Sequence, residues 1–206
     1  MNIIAIVDYI GTFVFAISGI RLAAAKEFDW FGAFVIGLVT AVGGGTIRDV
    51  LLNNTPFWML EFNYVIITAS ALIVVIVFGR KLIHFYETIF IFVAIGLGLF
   101  TVVGIEKSIQ AGFPMWVSIF MGTITGAAGG VLRDILINEE PLIFRKDIYA
   151  IACVIGGFVF FCCKSFNFPH ELTIALTSFS IITIRVIAVK YHINLPTLKG
   201  WGDIKE

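Results

Sequence analysis

Gly43-Gly44-Gly45-Thr46-Ile47-Arg48-Asp49 sits inside an apolar stretch, and 85 residues on (133 − 48) the chain reads Ala128-Gly129-Gly130-Val131-Leu132-Arg133-Asp134. Glycine loses the most backbone freedom on ordering, so a run of it inside a helix is costly. Arginine and aspartate are costly within a bilayer. A chain that places both together, twice, at one offset is building a site there. The offset reaches well beyond the glycines. Gly11, Phe15 and Gly19 match Gly96, Phe100 and Gly104, and Phe28, Gly37 and Thr40 match Phe113, Gly122 and Thr125. Leu51, Asn53 and Pro56 match Leu136, Asn138 and Pro141.

The surroundings of the motifs are those of an integral membrane protein. The chain is 59% hydrophobic and 14% charged, against roughly 25% charged for a soluble domain. Its formal net charge is zero, which leaves no case for a nucleic-acid partner. A spanning helix needs about 20 mostly apolar residues. Seven segments qualify: 3–24, 31–53, 62–79, 87–105, 115–137, 147–164 and 170–190. Turn and charge signals separate them, among them Pro56, Arg80-Lys81, Pro114, Glu139-Glu140-Pro141 and Pro169. The first segment has no basic region before it and holds Asp8, which argues against a cleaved signal peptide. The odd loops and the C-terminus hold Arg21, Lys26, Arg80, Lys81, Arg145, Lys146, Lys190, Lys199 and Lys205, whereas the other side holds Lys107 and Lys164. Lysine and arginine favour the cytoplasmic side, so the N-terminus is expected outside and the C-terminus in the cytoplasm.

Each copy of the repeat holds three spanning segments. An odd number inverts the second copy, so the halves are related by a pseudo-two-fold axis in the membrane plane, an arrangement of transporters and some channels. The expected fold is all-α, with repeats over 1–85 and 86–165, then a seventh helix and a polar tail over 166–206. Gly43 lies roughly 18 Å into segment two at about 1.5 Å per residue, near mid-membrane. Segments two and five are therefore expected to break at their glycines. A break would free carbonyls around Thr40 and Thr125, which suit a cation, and N–H groups beyond them, which suit an anion. The alternative for the glycines is close helix packing through small residues. Arg48 and Arg133 are opposed by the dipole at a helix start, so they need another purpose. Either they line or gate a path, or they are structural ion pairs that brace the break. Asp49 with Asn53, and Asp134 with Asn138, fall four apart and are expected to share a helix face. Asp8 is either solvated near the outer interface or part of the path. Arg185 is expected to snorkel to the cytoplasmic face.

Other residue classes point to no chemistry. Cys153, Cys162 and Cys163 have no zinc or redox spacing, and His84, His170 and His192 fall at segment ends. Nothing pairs a nucleophile with a base or cradles a phosphate, so neither an enzyme nor a metal site is expected.

The stretch Asp8-Tyr9-Ile10-Gly11-Thr12-Phe13-Val14-Phe15-Ala16-Ile17-Ser18-Gly19 resembles the start of prokaryotic members of the trimeric intracellular cation (TRIC) channel family. The two glycine–Arg-Asp motifs resemble that family's signatures, and Arg185-Val186-Ile187-Ala188 with Leu195-Pro196 resembles its C-terminal end. The second copy departs from the first in having Ala128 where the first has Gly43. The resemblance implies a homotrimer of seven-helix subunits in a prokaryotic inner membrane. It implies a pore in each protomer, with kinked helices around it, and passive conduction of monovalent cations, potassium chiefly and sodium as a second candidate. Membrane lipid is the other expected partner, and no cofactor is implied beyond the transported ion.

Some bacterial relatives carry a glycine-transporter label. Two functions therefore stay open. In a channel, carbonyls and the hydroxyls of Thr40, Thr46, Thr123 and Thr125 would line the path around Gly43, Gly44, Gly45, Ala128, Gly129 and Gly130. In a carrier for glycine or a similar zwitterion, half-helix N-termini would take the carboxylate, and carbonyls or Asp49 and Asp134 the ammonium. A purely structural membrane protein is disfavoured by the doubled charged motif.

Overall fold

A computed structural model describes residues 3–83, 86–145 and 148–196. Lys146, Lys199 and Lys205, used above for orientation, and His84 lie outside them. The described chain is helical: α1 (Ile3–Ala25), α2 (Trp30–Leu51), a four-residue α3 (Phe57–Leu60), α4 (Asn63–Ile83), α5 (Tyr86–Gln110), α6 (Met115–Leu136), a 3-10 turn (Leu142–Phe144), α7 (Ala150–Ser165) and α8 (His170–Lys190). The long helices fall on the seven apolar segments. Five of them are long and apolar enough to cross a membrane, and the apolar stretches Asn63–Phe78 and Ala150–Ser165 are shorter. Sequence reading missed α3 and the 3-10 turn, both of which follow a proline of the repeat, Pro56 and Pro141.

The helix ends follow one local rule. Past α2 the chain turns at Asn53, whose φ of 56° is left-handed; Asn53 N bonds Val50 O (3.0 Å) and Asn54 N bonds Asp49 O (2.8 Å). Past α6 the same turn forms at Asn138, with φ 57° and bonds to Ile135 O (3.1 Å) and from Glu139 N to Asp134 O (2.8 Å). These paired bonds close the last carbonyls of each helix, and asparagine tolerates the left-handed conformation better than most residues. This corrects one expectation. Asn53 and Asn138 lie beyond the helices and are exposed, so they do not share a helix face with Asp49 and Asp134.

The core is built on reciprocal contacts between repeat equivalents. Phe15 of α1 and Phe100 of α5 meet edge to face, with ring centroids 5.0 Å apart. Each ring sits over the other repeat's glycine: a Cβ on Gly11 would strike Phe100 Cε1 (2.8 Å), and one on Gly96 would strike the Phe15 ring. Within each repeat a second glycine brings neighbouring helices together. Gly19 of α1 lies against Thr40 and Ile36 O of α2, and Gly104 of α5 lies against Thr125 Oγ1 and Met121 O of α6. All four glycines mark close helix contacts.

Candidate functional site

The motif glycines lie where α2 crosses α6. A Cβ on Gly44 would run into Thr125 O, and one on Gly129 would run into Thr40 O. A Cβ on Gly43 would meet only the tip of Leu132, Cδ1 at 2.7 Å, before Gly129 Cα at 3.7 Å. The pairings 44 with 125 and 40 with 129 run in opposite directions along the two helices, so α2 and α6 are antiparallel at this crossing. Gly45 and Gly130 face away from it, towards Phe57 and the Tyr149 hydroxyl. Ala128 is half-buried, so its methyl group is accommodated where Gly43 stands in the first copy.

The expected breaks are absent. Both α2 and α6 continue as α-helix through their glycines. Unpaired backbone in an apolar medium costs several kcal/mol per group, and here the i→i+4 ladder stays made. The glycines instead let two backbones approach until one helix's carbonyl touches the other's Cα. This is small-residue packing, assisted by Cα–H···O contact. The four threonines bond to the same ladder. Thr40, Thr46, Thr123 and Thr125 donate to Ile36 O (2.6 Å), Val42 O (2.7 Å), Ile119 O (2.9 Å) and Met121 O (2.6 Å). Such back-bonding often bends a helix without opening it. Thr40 and Thr125 are enclosed, whereas Thr46 and Thr123 are partly exposed. Thr46 Oγ1 also accepts from Trp58 Nε1 (3.0 Å).

Four residues beyond Gly44 and Gly129 come the arginines, about 6 Å further along each helix. The helices are antiparallel, so Arg48 and Arg133 lie towards opposite ends of the molecule. Each is bound by the aspartate that follows it. Arg48 Nε donates to Asp49 Oδ1 (2.8 Å), and Arg133 Nε donates to Asp134 Oδ1 (2.8 Å). Arg48 Nη2 is also 2.7 Å from Asp49 Oδ1, but off the line a hydrogen bond needs, so it adds charge attraction alone. Both pairs are buried, with Arg48 1% and Arg133 2% exposed. The second carboxylate oxygen brackets the chain that follows. Asp49 Oδ2 accepts from Phe57 N (2.9 Å), and Asp134 Oδ2 accepts from Leu142 N (3.2 Å). Phe57 and Leu142 are themselves 85 apart (142 − 57), at the starts of α3 and the 3-10 turn. Both motifs therefore hold an internal Arg–Asp ion pair.

The two ends differ in what surrounds these pairs. At the Arg48 end, buried Asp8 accepts from the Tyr64 hydroxyl (2.8 Å), so Asp8 is not merely solvated. Phe57 packs edge to face on Tyr64, with the Arg48 guanidinium 5.5 Å and the Lys107 ammonium 5.2 Å from its ring centre. A cavity of about 550 Å³ opens here, lined by Lys107, Gln110, Asn54, Thr55, Phe57 and Leu60 among others. At the Arg133 end, Arg133 Nη1 donates to Ser18 Oγ (2.7 Å). Arg185 does not snorkel: it is 1% exposed, donates to Ile148 O (2.7 Å) and lies 5.1 Å from the ring centres of both Phe90 and Tyr149. A backbone carbonyl and two aromatic faces hold this cation inside.

Sequence reading missed Ser18, Phe57, Tyr64, Lys107 and Tyr149 as parts of these clusters. The repeat offset carried part of the signal, since Tyr64 and Tyr149 are also 85 apart (149 − 64). Ser18 and Lys107 have no such echo, because their equivalents are Val103 and Leu22.

Comparisons with known proteins place the chain among membrane proteins. A family model described as glycine transporter matches residues 5–80 and again 90–165, two stretches that begin 85 residues apart (90 − 5). A UPF0126 membrane protein of Vibrio cholerae is 38% identical over 199 residues, covering 95% of this chain and 83% of that one. The UPF0126 inner membrane protein YadS of Escherichia coli K12 is 38% identical over 193 residues, covering 92% and 93%. Among solved structures, the TRIC trimeric intracellular cation channel orthologue from Rhodobacter sphaeroides superposes with a TM-score of 0.88 at 33% identity, over 94% of this chain and 100% of that one. With its paired glycine–Arg-Asp motifs and this helical arrangement, the chain belongs to the prokaryotic TRIC channel family, to which the glycine-transporter sequence model also corresponds.

Proposed function

We propose that this protein is a passive cation channel, not an enzyme, that conducts monovalent cations, potassium ahead of sodium, through one path in each protomer of a homotrimer. The observation that carries the reading is the neutralisation of both motif arginines. Each guanidinium is bound to its neighbouring aspartate and buried, so neither presents a bare positive charge to a passing cation. The path follows the α2–α6 crossing from the cavity at the Arg48 end towards Arg133. Along it, threonine hydroxyls whose hydrogens are committed to backbone carbonyls keep lone pairs for an ion. Thr123 and Thr46 are the partly exposed members, and Thr40 and Thr125 set the spacing of the helices. Asp8, 13 residues (21 − 8) from Arg21, the basic residue of its own helix, adds buried negative charge at the Arg48 end. The likeness to solved cation channels over nearly the whole chain supports the same reading.

The wider arrangement we propose is two inverted three-helix repeats, 1–85 and 86–165, then a seventh helix, in a bacterial inner membrane with the N-terminus outside. Many large apolar side chains remain exposed on the protomer, among them Trp30, Phe31, Ile73, Val77, Phe120 and Phe179. Such faces fit lipid and neighbouring protomers. No cofactor is needed, since the ion is the cargo. Helices that run unbroken through the glycines offer no half-helix N-terminus to a carboxylate, which weighs against the carrier reading. Potassium efflux from proteoliposomes of purified protein tests the function, with cross-linking to count subunits. Rapid potassium release that saturates only at high concentration is expected. Uptake of labelled glycine without potassium release would replace the channel with a carrier.

A further inference from the structure

Each motif is followed by a short segment that conduction along the α2–α6 crossing does not explain. α3 and the 3-10 turn come after α2 and α6, and the antiparallel course of those helices puts the two segments at opposite ends of the molecule. Each hangs by one backbone N–H from its motif aspartate, Phe57 N on Asp49 Oδ2 (2.9 Å) and Leu142 N on Asp134 Oδ2 (3.2 Å). That first residue turns inward, Phe57 against Tyr64 and Leu142 against the buried cluster of Tyr149 and Ala152. Two residues on come Met59 and Phe144, which are 85 apart (144 − 59) and turn outward, 62% and 71% exposed. Phe62, just before α4, is 71% exposed. Large apolar side chains gain nothing by standing in water, so these segments fit an apolar medium. Each leads into the third helix of its repeat, where the apolar part is short. Asn63–Phe78 (78 − 63 + 1) and Ala150–Ser165 hold 16 residues each. At about 1.5 Å per residue that is about 24 Å, less than a hydrocarbon core about 30 Å thick. Arg80 and Lys81 follow the first stretch and Lys164 lies at the end of the second, so neither extends at its far end.

We infer that α3 with Phe62, and the 3-10 turn, are interfacial anchors, one for each leaflet, that seat the protein in a thin bilayer and pass bilayer thickness to the α2–α6 crossing. Lipid is the occupant because the boundary between headgroups and hydrocarbon recurs at both faces of a membrane, at the level where the two segments lie. A short span is met by a thinner bilayer around it, at a cost that grows with each ångström of mismatch. In a thicker bilayer the boundary moves outward, and Met59, Phe62 and Phe144 follow it. The N–H groups of Phe57 and Leu142 are then drawn away from their carboxylates. Those carboxylates hold Arg48 and Arg133, about one helical turn from Gly44 and Gly129, so the strain reaches the crossing along α2 and α6. Met59, Phe62 and Phe144 act through the bilayer and not on the cargo. The inference therefore stands whether the cargo is a cation or a zwitterion.

The experiment uses the full-length protein in proteoliposomes of phosphatidylcholine whose monounsaturated chains run from about 14 to about 22 carbons. Photo-crosslinking of wild type comes first, with phosphatidylcholine carrying a diazirine either next to the headgroup or at the chain tip, and sites read by peptide mass spectrometry. Adducts at Met59, Phe62 and Phe144 are expected from the headgroup-end probe. Adducts from the tip probe alone, or none, overturn the anchors; a neighbouring protomer covering these residues gives the second result. Potassium efflux and melting temperature are then measured along the chain-length series. Both should peak at about 14 to 16 carbons, with efflux falling about fivefold towards the longest chains. A peak at longer chains, or a flat series, overturns the match to a thin bilayer. Met59→Ser/Phe62→Ser at one end and Phe144→Ser at the other should each cut the dependence at least about twofold while keeping efflux at the peak. Full wild-type dependence in both overturns the coupling. If wild type releases no potassium in any lipid, the channel reading fails, and the crosslinking and melting series judge the anchors by the same criteria.

Discussion

Adding one methyl group at the α2–α6 crossing separates the packing account of the motif from any account based on flexible glycine. An alanine at Gly44 places its Cβ on Thr125 O, with Thr125 C at 3.0 Å and Gly129 N at 3.3 Å. All three neighbours are backbone, so none can swing aside. A carbon–oxygen contact settles near 3.3–3.6 Å, so the helices must part by about 1 Å. Overpacking of this kind costs about 1–3 kcal/mol. An alanine at Gly43 meets only Leu132 Cδ1 at 2.7 Å, the end of a flexible side chain. Both substitutions gain about 1 kcal/mol of helix propensity. That gain cancels in the comparison, and the difference between Gly44→Ala and Gly43→Ala isolates the clash. Gly44→Ala should therefore melt below Gly43→Ala by several degrees, with Gly129→Ala beside Gly44→Ala. The double variant Gly44→Ala/Gly129→Ala should lose less than the sum, since the helices separate once for both. Thermal denaturation of the purified oligomer with potassium flux on the same samples provides the assay. If Gly43→Ala is the damaging change and Gly44→Ala and Gly129→Ala are neutral, the crossing is misplaced and the reasoning fails.

Other consequences are more local. Arg133→Gln leaves Asp134 buried without its cation, and Asp134→Asn leaves Arg133 likewise, so each should lose about 3–5 kcal/mol and cut the yield of folded oligomer; a well-folded Arg133→Gln would show that the pair is not buried as described. The bond from Lys26 and its nearby charge hold the Glu139 carboxyl below the ordinary glutamate value of 4.5. A depressed folded value means that this stabilisation is complete above that ordinary value and is lost as pH falls through the lower, folded one. Lys26→Ala should remove that acid-side loss from a melting-temperature profile, and an unaltered profile would reject the pairing. Impermeant labelling of a cysteine placed after Lys190 should fail from outside intact cells; labelling from outside would reverse the proposed orientation.

Much of the fold was legible because apolar length and the 85-residue echo are both linear signals. Among the described residues the apolar segments fall on helices, five of them long and apolar enough to cross a membrane, and Gly11, Gly19, Gly96 and Gly104 are contact points. The glycine motifs misled in one respect. Low helix propensity predicts a break, but propensity does not register that a second helix lies against Gly44 and Gly129 and keeps the ladder intact. Asn53 and Asn138 misled for a related reason, since a four-residue spacing holds only while the helix lasts. Asp8 and Arg185 could be flagged as charges in apolar segments, yet their partners Tyr64, Phe90, Tyr149 and Ile148 are distant in sequence. Ser18 was invisible because a lone serine in an apolar helix carries no pattern; its partner lies 115 residues away.

The central claim is that cations pass down a neutralised path without a carrier cycle. The most direct test is the reversal potential of unitary currents across a planar bilayer holding purified wild-type protein in a potassium gradient, with and without glycine on both sides. The account predicts discrete currents that reverse near the potassium equilibrium potential and do not respond to glycine. Absence of unitary currents together with glycine-dependent charge movement would contradict it.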